Sequence, residues 1–89
     1  MTYAVHQIAS ALHPVQLRMA RVALGLTTRQ AADVTGVSRN TISRIEAGEV
    51  LKPSTIQKVR AALEAAGLEF IPENGGGAGI RFRERREVG

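Results

Sequence analysis

The sequence predicts a mainly α fold, a compact four-helix domain followed by a short C-terminal β-hairpin or dimerising strand. Three observations carry this. Helix caps and stops alternate at short intervals between Pro14 and Gly67. Beyond Gly67 the chain changes to alternating apolar and polar residues around a Gly-rich stretch. With 89 residues and no Cys, it has room for one modest core, and neither a disulfide framework nor a thiolate metal site to hold it. The expected divisions are an arm over residues 1–13, a helical domain over 14–67, and a strand or hairpin with a basic tail over 68–89.

Residues 1–13 carry a sparse helical pattern in Val5, Ile8 and Leu12, and read either as a docked arm or as a frayed tail. Pro14 suits a first helical turn, where its missing N–H has no partner to lose, and Gly25 can end a helix in the left-handed conformation. The first helix is therefore placed over Pro14 to Leu24. Thr27 and Gln30 have capping-box spacing and Gly36 is the next stop, so a short second helix covers Thr28 to Thr35. Ser38 caps a third, Arg39 to Ala47, ended by Gly48. Pro53 and Ser54 restart the chain, Gln57 completes another capping box, and the fourth helix runs to Ala66 before Gly67. Leu68 to Ile71 and Ile80 to Arg83 are the expected strands, joined across Pro72 to Gly79 as a hairpin or an edge pair.

No apolar run approaches the roughly 18 residues of a membrane span, and the N-terminus lacks a signal-peptide pattern, so a cytoplasmic protein without membrane association is expected. The net charge of +4 favours polyanionic partners, because a Lys or Arg placed near a phosphate releases a condensed counterion. Charge alone leaves the partner open.

The third helix is more specific. At about 100° per residue, Arg39, Asn40, Ser43, Arg44 and Ala47 share one arc, while Thr41, Ile42, Ile45 and Glu46 share the other. The first arc carries groups suited to base edges: Arg bonds bidentately to guanine and Asn to adenine, and Ser and Ala permit close approach. A solvated face of an amphipathic helix would look similar in isolation. The preceding short helix and the tight Gly36-Val37-Ser38 corner distinguish the two, since together they make a helix-turn-helix.

With Leu26-Thr27, Ala31-Ala32, Gly36-Val37-Ser38, Ile42, Ile45-Glu46-Ala47-Gly48 and the fourth helix, the chain resembles the phage repressor and Cro-like family, also called the xenobiotic-response-element family. The resemblance runs from about Leu17 to Leu63 and implies a repressor-like domain that binds double-stranded operator DNA. In that family the first, second and sixth residues of the third helix commonly touch bases, which implies Arg39, Asn40 and Arg44 here, with Ser43 beside them. Many relatives begin the second helix with a Gln that contacts phosphate and braces the reading helix. This chain has Thr28, whose hydroxyl and neighbouring amides can still meet a phosphate while the bracing is lost. Lys52 stands where relatives often touch the backbone, and Arg29 and Thr41 complete the candidate phosphate contacts; for Lys52 and Arg29 an ordinary exposed charge is the competing reading. Leu17, Ala20, Arg21 and Leu24 place Arg21 on the core-facing stripe of the first helix, and the resemblance implies a salt bridge from Arg21 to Glu46.

Regulators of this class usually bind as dimers, so a homodimer is expected, with Leu68, Phe70, Ile80 and Phe82 as its candidate contacts. The alternative is that these strands cover their own subunit's core. Val15, Met19 and Val22 form a second apolar stripe on the first helix that can receive the terminal segment. Arg81, Arg83, Arg85 and Arg86 read either as phosphate contacts or as charges guarding a strand edge. The Gly-rich run at 74–79 lacks the Gly-Lys-Ser/Thr and following helix of a phosphate loop. His6 and His13 lack metal-ligand spacing, and Glu46, Glu64 and Glu69 have no catalytic constellation around them, so no metal, cofactor or enzymatic activity is expected. The leading expectation is a dimeric transcriptional repressor. The rival is an antitoxin-type protein that neutralises a partner protein and represses their shared operon.

Overall fold

A computed structural model describes residues 12–85. The order is α1 (Pro14–Ala23), α2 (Thr28–Thr35), α3 (Arg39–Glu46), α4 (Pro53–Ala65), β1 (Leu68–Ile71) and β2 (Gly79–Phe82). The expected arm lies outside the described residues except for Leu12, which is buried, and His13, which is the N-cap of α1.

The cap signals explain the boundaries. Thr27 Oγ1 accepts the Gln30 amide at 3.1 Å while Gln30 Oε1 accepts the Thr27 amide at 2.9 Å, closing a reciprocal capping box on α2. Ser38 Oγ accepts the Thr41 amide at 3.1 Å and starts α3. At the corner between them Gly36 has φ 77°, which an L side chain rarely adopts, and its carbonyl accepts from Lys58 Nζ at 3.1 Å. The helix-turn-helix corner is thereby bolted to α4. Leu24, Ala47 and Ala66 prove to be C-caps one residue beyond their helices, a normal fraying margin. The expected Ser54–Gln57 box is corrected: Lys52 is the N-cap of α4 without a side-chain bond, and Pro53 takes the first turn, leaving Ser54 inside the helix.

Each helix contributes its apolar stripe to one core. Leu17 and Ala20 of α1, Ala31 and Ala32 of α2, Ile42 and Ile45 of α3, and Val59 and Leu63 of α4 meet Leu68 and Phe70 of β1. The strands pair antiparallel with Leu68 opposite Phe82, Glu69 opposite Arg81, Phe70 opposite Ile80 and Ile71 opposite Gly79. β2 thus begins and ends one residue earlier than expected. The period of two turns Leu68 and Phe70 inward and leaves Glu69 and Arg81 outside, where they form a cross-strand ion pair at 2.9 Å.

A buried polar residue explains how so short a hairpin is held. Gln16, 2 % exposed, accepts the His13 amide at 3.0 Å and donates to the carbonyls of Ile71 at 3.1 Å and Gly79 at 2.8 Å. One amide therefore caps α1 and clamps both strands at the loop end of the hairpin. At the other end Arg83 donates to the Glu64 carbonyl at 2.8 Å, and Arg60 lies 5.3 Å from the Phe70 ring. The hairpin consequently packs on the Gln16–Leu17 side of α1, and Val15, Met19 and Val22, offered above as its receiver, stay exposed at 49, 37 and 69 %.

Replacing Gln16 with Ala strands two carbonyls and one amide at once, so thermal denaturation should show a loss of roughly 1 to 3 kcal/mol. Amide-exchange protection should fall most across β1 and β2. An unchanged melting temperature with unchanged exchange would contradict the clamp.

Candidate nucleic-acid interface

The residues selected by the wheel lie together at the surface. Arg39, Asn40, Ser43, Arg44 and Ala47 are all exposed, whereas Ile42 and Ile45 beneath them are 0 and 2 % exposed. Thr28, at the start of α2, lines an open groove with Arg39, Asn40 and Ser43. A second groove, lined by Arg29, Asp33, Val37, Ser38 and Arg39, runs beside it. The residue at the head of α2 is thus adjacent to the reading arc, with the first-turn amides of α2 near the same surface.

Two predicted contacts have partners inside the protein. Thr41 is half-buried and its hydroxyl lies 3.0 Å from Ser38 Oγ, so that hydroxyl belongs to the cap of α3. Arg44 Nε donates to Glu49 Oε1 at 2.8 Å. Lys52 and Arg29 are exposed, and among the described residues neither they nor Arg39 form an ion pair.

Underneath, Arg21 grips Glu46 through two bonds, Nε to Oε2 at 2.9 Å and Nη2 to Oε1 at 3.2 Å, and its Nη1 reaches the Leu26 carbonyl at 3.3 Å. Arg18 Nε approaches the same carboxylate at 3.5 Å. The bonds join α1, the α1–α2 loop and the end of α3. A carboxylate near a helix C-terminus is unfavourable against the helix dipole, and two guanidinium groups offset it. The Arg21 hydrogen bond holds the Glu46 carboxyl below the ordinary carboxylate range despite partial desolvation, with charge attraction and Arg18 adding to the effect. The same bond raises Arg21.

The other predicted groups are placed differently. Leu68 and Phe70, proposed for a dimer contact, are 1 and 5 % exposed within their own subunit, and Ile80 and Phe82 pack partly against the same core. Arg81 pairs with Glu69 and Arg83 donates to the carbonyl of Glu64, so both exposed side chains have partners within the hairpin and α4; Arg86 lies outside the described residues. Among the described residues no cluster of three His, Cys, Asp or Glu side chains can hold a metal, and no helix is long and apolar enough to cross a membrane.

Sequence reasoning missed Gln16, Lys58 and Glu49. Gln16 carried a signal, since it stands three residues after the N-cap His13 in capping-box spacing. Lys58 and Glu49 carried none, because their partners follow from how α4 packs and how the chain turns at Gly48.

An exposed polar face on the second helix of a helix-turn-helix, braced from below, defines a DNA-binding domain. Over residues 15–69 the chain matches the family model described as a helix-turn-helix domain, and it belongs to that family. No curated protein matches it.

Because folding lowers the Glu46 pKa, the pair's contribution to stability is complete above the unfolded carboxylate value of about 4.3 and fades as pH falls through the lower folded value. Glu46→Leu and Arg21→Met should each cost about 1 to 3 kcal/mol by leaving one ion unpaired, and the double variant should cost less than the sum of the two. Its stability deficit relative to the parent should shrink on acidification below about pH 4. Additive single losses with a pH-independent gap would refute the coupling.

Proposed function

We propose that this protein is a sequence-specific, double-stranded DNA-binding transcriptional regulator of the phage repressor and Cro-like type. It acts in the cytoplasm as a dimeric repressor, without catalysis or cofactor. The observation that carries the proposal is the open surface formed by Arg39, Asn40 and Ser43 of α3 with Thr28 of α2. Its groups match a major groove: an Arg fork for guanine, an Asn amide for adenine, and small side chains between them. Arg29 and Lys52 set the register by backbone contact, and Thr28 adds a hydroxyl beside the α2 amides.

A single eight-residue helix reads only a few base pairs, and two copies reading half-sites about 34 Å apart multiply the discrimination. The side chains of Leu68 and Phe70 are consumed by the subunit's core, so the pairing surface is better sought along the hairpin edges and on the Val15–Met19–Val22 stripe of α1. That stripe also supports a second reading, in which it receives a partner protein and the chain acts as an antitoxin. Stable co-purification of a heteromer would favour the second reading; a homodimer on its operator favours the first.

Selection of bound sequences from random duplexes should return a defined motif with half-site symmetry. Arg39→Ala and Asn40→Ala should each lose preference at separate base pairs by roughly 1 to 3 kcal/mol, while Lys52→Ala should weaken all duplexes alike and reduce the salt slope by about one. Uniform weakening by the α3 variants would remove the reading-helix assignment.

A further inference from the structure

A carboxylate on a surface that meets a polyanion needs a reason, and Glu49 is such a carboxylate. It follows α3 through the turn at Gly48, whose φ is 89°. Its backbone amide donates to the Arg44 carbonyl at 3.0 Å and its side chain accepts from Arg44 Nε at 2.8 Å. Main chain and side chain of Glu49 are thus both closed onto one residue. Elsewhere among the described residues Glu46, Glu64, Glu69 and Glu73 lie beside Arg21, Arg60, Arg81 and His13, which belong to the scaffold. Glu49 alone of these ion-paired carboxylates faces an arginine assigned to bases.

The bond occupies Nε and leaves the two terminal nitrogens of Arg44, which form an end-on fork matching guanine O6 and N7. An untethered arginine samples many rotamers and can satisfy itself on whichever phosphate is near. A tethered one is pre-aimed, and the adjacent negative charge disfavours a phosphate in its place. We infer that Glu49 is a specificity-determining positioning residue: through its bond to Arg44 Nε it holds the guanidinium as a guanine-reading fork and lowers affinity for DNA that lacks that guanine. The inference rests on the DNA-reading proposal above.

The test compares duplex selection and binding for the parent, Arg44→Ala, Glu49→Ala and Glu49→Gln. The pair is exposed, so the variants are expected to fold, which circular dichroism verifies. Arg44→Ala identifies the base pair that Arg44 reads. At that base pair Glu49→Ala should reduce guanine preference about fivefold or more while random duplex binds more tightly, and Glu49→Gln, which retains an acceptor for Nε, should recover part of the preference. Preference kept within twofold in Glu49→Ala, accompanied by uniformly tighter binding, would show that Glu49 merely competes with DNA for Arg44 and would overturn the inference. A parent protein without any base preference would instead overturn the DNA-reading proposal itself, and this inference with it.

Discussion

The exposed polar face of α3 depends on a constraint of length: α3 has eight residues, and helices shorter than about 12 to 15 residues are marginal on their own. Its conformation is therefore imposed from outside. Ile42 and Ile45 are driven into the core, Ser38 closes the first turn, and Glu46 is held by Arg21 at the last. Because the inner face is buried and both ends are held, the outer face inherits its orientation. Arg39, Asn40 and Ser43 need no contacts of their own to be well placed, which is what a surface that must accept a ligand requires.

Electrostatics divides along the same line. The guanidinium groups of Arg21, Arg60, Arg81 and Arg83 and the Lys58 ammonium are engaged with carboxylates or helix-end carbonyls of the scaffold. Arg29 of α2, Arg39 of α3 and Lys52, the N-cap of α4, are exposed and without ion pairs among the described residues. A formal charge of +4 spread evenly would give a diffuse attraction for any polyanion. Engaging the first group of cations within the scaffold leaves Arg29 and Arg39 available beside the polar groups that the helix-turn-helix presents.

Much of this was legible in the sequence because local signals govern it. The Thr27–Gln30 box, Ser38, Gly36 and the apolar–polar alternation through Leu68, Glu69 and Phe70 are short-range features whose physics is complete within a few residues. The partition of α3 into two arcs was equally local. What escaped was tertiary. Nothing near Gln16 says that its amide will meet Ile71 and Gly79, and an amphipathic pattern cannot tell whether Leu68 and Phe70 cover their own core or a partner's. The Arg44–Glu49 pair was hidden for a related reason: five residues is the wrong spacing for a helical pair, and only the turn at Gly48 brings the two together.

The Gln16 clamp also bears on how the domain meets anything other than DNA. A two-stranded hairpin is marginal in water, and one that donated its apolar side chains to a second copy would leave its own helices uncovered. Here the amide of Gln16, the Arg83 bond to the end of α4 and the Arg60–Phe70 contact hold the hairpin to its own subunit, and Leu68 and Phe70 complete a core that the four helices leave open. Any assembly must then be built on surfaces that remain after that core is closed. The hairpin is part of the machinery that keeps α3 in place, because α1, which carries Arg21 to Glu46, is the same helix that Gln16 ties to the strands.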